Sequence, residues 1–261
     1  MSYMERFSLA HKKCVITGAG MPGGIGIALA LALAEAGGDV ILSDIVENSL
    51  EENTQRVRAL GVESYWHLCD TTNSESVGSL RDFVLAQFGR VDVLVNNAGA
   101  FQDVAAKDMP LDDWERVIRV NLTGNFIMSQ AFGQEMIRQQ QGGSIIMISS
   151  KSGLTVDIPQ QQIAYNTSKA GLIMFTKTLA VEWARYGIRV NSIAPGNIIT
   201  DHLQQRIDNK DPYVDAWISM IPMRRIGTTQ ELGNLAIYLA SDASSYVTGE
   251  TILADGGYCA L

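Results

Sequence analysis

Seven short, largely apolar runs recur along the chain, at residues 14–16, 40–42, 62–68, 91–95, 145–148, 188–194 and 251–253. Between them lie segments of helical spacing over 25–36, 50–60, 74–88, 114–141, 164–186 and 231–240. Most of these stop at glycine (Gly37-Gly38, Gly61, Gly89, Gly142-Gly143 and Gly187), where a residue without Cβ turns easily into the left-handed region. Strands alternating with helices of this length form βαβ units. The runs are apolar on consecutive positions, as strands covered on both faces require. The expected fold is therefore α/β: a single Rossmann-type, doubly wound parallel sheet of seven strands flanked by helices. No repeat or low-complexity linker divides the 261 residues. Residues 197–222 break the rhythm with polar positions, Pro212 and Pro222. An insertion of this kind after a strand end suits a lid.

Composition narrows the function classes. Hydrophobic residues make up 46% of the chain and charged ones 18%, which supplies a core and excludes intrinsic disorder. The three cysteines, Cys14, Cys69 and Cys259, are widely spaced, so a disulfide scaffold is excluded and reduced thiols in a cytoplasmic protein are expected. With His11, His67 and His202 they build no familiar zinc spacing, and no metal is expected. Net charge is −8, with no basic run, which argues against a nucleic-acid partner and against adhesion to anionic membranes. Residues 1–13 lack the apolar segment of a signal peptide, and no apolar stretch approaches the ~18 residues of a membrane span.

The turn after the first strand is Thr17-Gly18-Ala19-Gly20-Met21-Pro22-Gly23-Gly24-Ile25-Gly26. Between a strand and a helix, such a turn lets backbone N–H groups and the helix dipole meet a pyrophosphate. Asp44 ends the second strand, 18 residues beyond Gly26. A carboxylate there accepts from both adenosine ribose hydroxyls and repels a 2′-phosphate. No Arg or Lys occurs in 39–46, so NAD is expected over NADP; the bland alternative is a helix N-cap. Asp70 ends the third strand and either meets the adenine amino group or caps the helix starting near Asn73. Asn96-Asn97-Ala98-Gly99 closes the fourth strand as a tight exit beside the cofactor, or as a plain turn.

Tyr165 and Lys169 are four apart, so they share one helix face. That helix follows the fifth strand, which ends in Ser149-Ser150-Lys151-Ser152-Gly153, on the edge of the sheet where ligands bind. A nearby ammonium favours the phenolate of a tyrosine, which can then take a proton from an alcohol. A serine hydroxyl can hold the same oxygen. Asn121 can order a water behind the lysine, or simply satisfy a helix kink.

Together these motifs resemble the short-chain dehydrogenase/reductase family, of the classical size class, over nearly the whole chain from Thr17-Gly18 to Asp255-Gly256-Gly257. The residues that carry the resemblance are the glycine turn, Asp44, Asp70, Asn96 to Gly99, Asn121, Ser150, Tyr165 to Lys169 and Pro195-Gly196. The resemblance implies one NAD(P)-binding Rossmann domain over residues 1–261 and a catalytic tetrad of Asn121, Ser150, Tyr165 and Lys169. It implies cofactor contacts from Gly18, Gly20, Gly24, Ile25, Gly26, Asp44, Asp70, Asn97, Ala98 and Gly99. It also gives Lys169 the nicotinamide ribose, Ile198 the carboxamide and Thr200 the phosphate side, with Pro195-Gly196 shaping the pocket. Two departures stand out. Five residues separate Gly18 from Gly24, and Ser150 precedes Tyr165 by 15 positions, each two more than the family pattern. Ser152 keeps the family spacing, but Ser150 suits the strand end better.

The presumed pocket wall is polar: Gln102, Asp103, Asp157, Gln160, Gln161 and Gln162, with His202 and Trp217 on the lid. Hydroxyl-binding groups suit a polyol or sugar-like substrate, unless they are solvated loop residues. The expected activity is NAD-dependent interconversion of a secondary alcohol and a ketone, with a small molecule as the partner. The alternatives are reduction of a 3-oxoacyl thioester on an acyl carrier protein and a non-catalytic nucleotide sensor. Family resemblance further implies a homotetramer built on the helices at 114–141 and 164–186 and on the C-terminal strand.

Overall fold

The computed structural model describes residues 2–47 and 49–260; Met1, Asn48 and Leu261 lie outside the described residues. Seven strands form one sheet: β1 (Lys13–Thr17), β2 (Asp39–Asp44), β3 (Ser64–Leu68), β4 (Val93–Asn96), β5 (Gly143–Ile148), β6 (Ile188–Pro195) and β9 (Thr251–Ala254). Their order across the sheet is β3-β2-β1-β4-β5-β6-β9, and every pairing is parallel. The chain winds outward from β1 to β3 and then restarts beside β1 with β4. That reversal opens a crevice at the carboxyl ends of β1 and β4.

The apolar runs become strands because both faces are covered. Val15 and Ile41 point into one apolar cluster with Leu80, Phe132 and Leu172. Ile16 and Leu42 point into another with Leu29, Leu33, Leu232 and Leu239. The first layer holds α3 (Ser74–Phe88), α5 (Gly124–Gln139) and α6 (Ile163–Trp183); the second holds α1 (Ile25–Glu35) and α9 (Thr229–Ala240). Further helices are α2 (Leu50–Arg58), α4 (Leu111–Ile118), α7 (Asp201–Asp208) and α8 (Pro212–Met220).

Two expectations need correction. The segment expected at 114–141 is helical without a break over 111–139, but it is not regular: α4 and α5 are joined by a π-helical turn over Arg119–Thr123. The cause lies in Asn121, fully buried, whose side chain needs partners the regular ladder does not supply. Its Oδ1 accepts the Ala100 N–H at 2.7 Å, and its Nδ2 donates to the Ala100 carbonyl at 2.9 Å and to the Ser168 Oγ at 3.0 Å. The segment 197–222 is also more ordered than its spacing suggests. Two strands, β7 (Ile198–Ile199) and β8 (Gly227–Thr228), pair in parallel around α7 and α8. Leu203, Val214, Trp217 and Ile226 give this segment a small core of its own.

Candidate active site

The crevice is built by two turns that hold each other. Thr17 ends β1, and its hydroxyl accepts the N–H groups of Asn97 and Ala98, each at 3.1 Å. The Asn97 amide returns two bonds, to the Thr17 and Gly18 carbonyls, each at 3.0 Å. Gly18 sits at φ +68°, and a Cβ there would stand 2.8 Å from the Ala98 Cα. The position needs glycine for both conformation and space. After it, α1 begins behind Gly24 with no side-chain cap. Its first N–H groups, those of Ile25, Gly26 and Ile27, are therefore left for a ligand.

Gly18, Gly24, Ile25, Asp44, Asp70, Asn97, Ala98, Gly99 and Thr200 line a cavity of about 390 Å³. Asp44 is not a helix cap. Its Oδ2 accepts the Gly20 N–H at 2.9 Å and its Oδ1 the Ile45 N–H at 2.7 Å, while Ser49 precedes α2. Asp70 does not cap α3 either, a role that Asn73 takes. Instead Asp70 Oδ1 accepts the N–H and hydroxyl of Thr72, both at 2.8 Å. Gly26 packs beneath the Gly18 carbonyl. The longer glycine turn has a visible consequence at Gly23: a Cβ there would lie 1.8 Å from the Asp201 Oδ1. The turn thus reaches the first residue of α7.

A second cavity, of about 250 Å³, is lined by Ile25, Asn97, Gly99, Phe101, Ser150, Tyr165, Lys169, Pro195 and Gly196. It shares Ile25, Asn97 and Gly99 with the first, so the two adjoin. The donor set fits a dinucleotide across both. Uncapped helix N–H groups would meet its pyrophosphate, the Asp44 carboxylate would close one end, and Tyr165 with Lys169 the other. A larger cavity, of about 640 Å³, lies at the opposite edge of the sheet, lined by Gly143, Ile188 and Arg189. It is remote from these groups, and the Arg189 guanidinium there is spent on Ser244 and two carbonyls.

Tyr165 and Lys169 lie on the first turns of α6. Burial pushes the Tyr165 phenol above its ordinary range, with Ser150 beside it placed to oppose this. Burial lowers the Lys169 ammonium to about 8. Its Nζ donates to the Ile148 carbonyl at 2.8 Å and stands 5.6 Å from the Tyr165 ring centre. The expected depression of the phenol by the lysine is thus not a property of the free chain: desolvation dominates, and it weakens both charged forms. The Phe101 ring packs edge-on against Tyr165 at 5.3 Å.

The polar wall expected at the substrate end is largely spent on itself. Gln160 Oε1 accepts the Trp217 indole N–H at 3.0 Å, and this bond ties the β5–α6 loop to α8. Gln161 is exposed, and its main-chain N–H donates to Asp103 Oδ1 at 2.9 Å. Gln162 is buried, with its Nε2 3.1 Å from Asp157 Oδ2. Gln102 is engaged by Arg116. His202 is exposed on α7 and is not brought into either cavity. Ile198 lines a different hollow, with Asn197 and Gly227, while Thr200 also caps α7 through the Leu203 N–H. Sequence reasoning missed the buried Lys151–Asp157 ion pair and the packing of Lys151 over the Tyr258 ring at 3.6 Å. A lysine directly after a strand-end serine was the one available signal. Among the described residues no His, Cys, Asp and Glu cluster of metal-binding size occurs.

This geometry defines a nicotinamide-dependent oxidoreductase of the doubly wound type, and comparison with known proteins agrees. A family model described as enoyl-(acyl carrier protein) reductase matches residues 18–259. The NADP-dependent mannitol dehydrogenase of Alternaria alternata is 38% identical over 98% of this chain and 95% of its own length. The ribulose-forming D-arabinitol 2-dehydrogenase of Scheffersomyces stipitis is 36% identical over 98% and 96%. The NADH-dependent L-xylulose reductase of Ambrosiozyma monospora is 35% identical over 98% of each. The crystal structure of a short-chain type dehydrogenase/reductase from Mycobacterium marinum superposes with a TM-score of 0.91 at 39% identity, covering 99% of both chains. The chain belongs to the short-chain dehydrogenase/reductase family. It is an NAD(P)-dependent alcohol dehydrogenase/reductase acting on a small alcohol or ketone, and among its described residues no helix is long and apolar enough to cross a membrane.

Proposed function

We propose that the protein interconverts a secondary alcohol and a ketone on a polyol or sugar-like compound, using NAD(H). The observation that carries the reading is the meeting of Ser150, Tyr165 and Lys169 in one cavity that adjoins the cavity ending at Asp44. The substrate class is supported by the relatives named for mannitol, arabinitol and xylulose rather than by the pocket wall, whose polar groups are mutually bonded. Relatives divide on the cofactor, NADP for the mannitol enzyme and NADH for the xylulose enzyme. The preference for NAD rests on Asp44, a carboxylate at the end of β2 that lines the cavity and would repel a 2′-phosphate, with no Lys or Arg in 39–46. The same carboxylate counts against the NADPH-linked reduction of an acyl thioester, and the net charge of −8 against docking an acidic acyl carrier.

In this reading Tyr165 takes the carbinol proton in oxidation and returns it in reduction. Ser150 holds the reacting oxygen. Lys169 binds the nicotinamide ribose and keeps positive charge near the phenol, and Asn121 holds the Ala100 strand exit in place behind them. The nicotinamide, when bound, accepts the hydride from the carbinol carbon and gives it back in reduction. Gly18, Gly24 and the start of α1 hold the pyrophosphate, with Thr200 on its far side. Residues 197–222 act as a lid, anchored by Trp217 on Gln160. The assembly is a homotetramer in a reducing, cytoplasmic setting. Met174 and Val181, 61% and 81% exposed on α6, and the free edge of β9 are the faces that copies would cover, and the cysteines are free thiols.

The test is absorbance of reduced nicotinamide, with NAD or NADP, against mannitol, D-arabinitol and simple secondary alcohols. Reduction of NAD by the polyols supports the reading. Turnover with NADP alone would remove Asp44 from the ribose site, and silence with cofactor bound would favour an acyl thioester substrate.

A further inference from the structure

Next to the proposed catalytic serine lies a buried polar chain whose direction can be worked out by counting protons. Asp157, in the β5–α6 loop, is 4% exposed, and its carboxylate is in contact with the Lys151 ammonium. That contact favours the ionised form, and an ionised carboxylate only accepts hydrogen bonds. Two groups besides Lys151 donate to it: the Ser152 Oγ and the Gln162 Nε2 at 3.1 Å. Ser152 has one hydroxyl proton, and Asp157 takes it. Its lone pairs are then left to accept from Gln162 Nε2 at 3.3 Å and from the Ser150 Oγ at 3.1 Å. Ser150 likewise has one hydroxyl proton, and it points at Ser152. What Ser150 offers elsewhere is lone pairs, one of which receives the Ser152 N–H at 3.1 Å.

We propose that Asp157, acting through Ser152, fixes the direction of the Ser150 hydroxyl and holds its proton away from Tyr165. Asp157 and Ser152 are positioning residues; neither touches the reacting atoms. The proposal rests on the placement of Ser150 and Tyr165 in the reaction centre given above. Its consequence is a setting of the working pH. A phenolate at Tyr165 is stabilised by a hydroxyl that donates to it; Ser150 stands close enough to lower the phenol in this way, and the relay competes for the same proton. The groups that face the phenol are Ser150, the Phe101 ring and Lys169. Those that face the far end of the relay are Lys151 with the Tyr258 ring, Asp255 and Cys259 around it. Of the groups beside the phenol, only Ser150 has a hydroxyl proton that the relay could release to it.

The experiment is an ultraviolet titration of the phenol, taken as the difference between each protein and its own Tyr165→Phe counterpart. Wild type, Ser152→Ala, Ser152→Thr and Asp157→Ala are compared, together with the pH profile of turnover. Ser152→Ala removes the acceptor and frees the Ser150 proton. The Tyr165 midpoint should fall by about one pH unit, the tenfold effect of one hydrogen bond to a charged group. Ser152→Thr keeps the hydroxyl and should titrate like wild type. Asp157→Ala removes the acceptor of the Ser152 proton and should move with Ser152→Ala, and it carries the test if Ser152→Ala fails to fold. Coincident midpoints in folded wild type and either variant overturn the proposal. Tyr165→Phe distinguishes the levels: if it keeps turnover, the functional reading itself fails. If it is inactive while the midpoints do not move, only the relay fails.

Discussion

The glycine turn and the β5–α6 loop both stand at the carboxyl edge of the sheet, yet they are organised in opposite ways. Around the turn, groups stay accessible: α1 has no side-chain cap, and the Asp44 carboxylate, though it accepts three main-chain N–H groups, is only partly buried. Around the loop, almost nothing is left over. Lys151, Ser152, Asp157 and Gln162 satisfy one another, and Gln160 is taken by Trp217. A site with unpaired groups is ready for one invariant ligand. A site that has closed on itself offers shape and a few selected atoms, so it discriminates by what it excludes. In the proposed reading, cofactor and substrate are therefore recognised by different physics in one crevice.

The sharpest way to break this contrast is at the reaction centre. Tyr165→Phe should lower kcat by roughly 1,000-fold or more, within the range of general acid–base catalysis, while NADH binding measured by fluorescence stays within about twofold. Loss of binding instead would mean that the phenol belongs to the cofactor region. Next in size is Asp44→Ala with Ile45→Arg. Removing the carboxylate and adding a phosphate donor should move the NADP/NAD preference by on the order of 100-fold, equivalent to ~3 kcal/mol of differential binding. An unchanged ratio of kcat/KM values would show that Asp44 does not face the ribose.

Asp44 and Tyr165 are also the kind of residue that the sequence exposes. Each is fixed by a short spacing: a carboxylate at a strand end after a glycine turn, and a tyrosine one helical turn before a lysine. The inner strands were legible because burial on both faces leaves consecutive apolar residues such as Val40-Ile41-Leu42, whereas the edge strands β3 and β9 are only partly buried. A helix kink at Asn121 was one of two readings the sequence allowed; what could not be read was its partners, Ala100 and Ser168, 21 and 47 residues away. Nor was the fate of the glutamines legible. Gln160 and Gln162 look alike in sequence, and only the fold decides that one meets an indole and the other a buried carboxylate. In the free protein these two side chains hold the loop.

A thermodynamic prediction follows from burying a cation in the centre. Lys169 is lowered from 10.5 to about 8, so between these values the unfolded chain binds a proton that the folded one does not. Stability of the wild type therefore rises with pH across that window, and below it the folded state carries a cost of up to about 3 kcal/mol. Lys169→Met should be inactive yet melt on the order of 5 °C higher at pH 7, with the advantage shrinking toward pH 10. Equal melting at both pH values would show that the ammonium is well solvated. Alcohol oxidation needs the deprotonated phenol, which burial has pushed up. Its kcat/KM should therefore climb from pH 7 to 9, by at most tenfold per unit, while ketone reduction shows no such rise. The smallest effect concerns the loop's tie to α8. Gln160→Ala should raise KM about threefold with little change in kcat, the loss of one hydrogen bond of ordinary strength. A collapse of kcat would instead make the loop part of the chemistry.

The contact between Gly23 and Asp201 has a further consequence for anyone rebuilding this enzyme. Side-chain room at position 23 is taken by the carboxylate of position 201, so the extra length of the turn and the opening residue of α7 behave as a single inherited module. A graft of a shorter turn from a relative would leave Asp201 facing an empty gap, and a bulkier residue at 23 would lever α7 outward. Chimeras that exchange the turn should therefore carry residues 197–222 with it, so that the crossover points fall outside the pair.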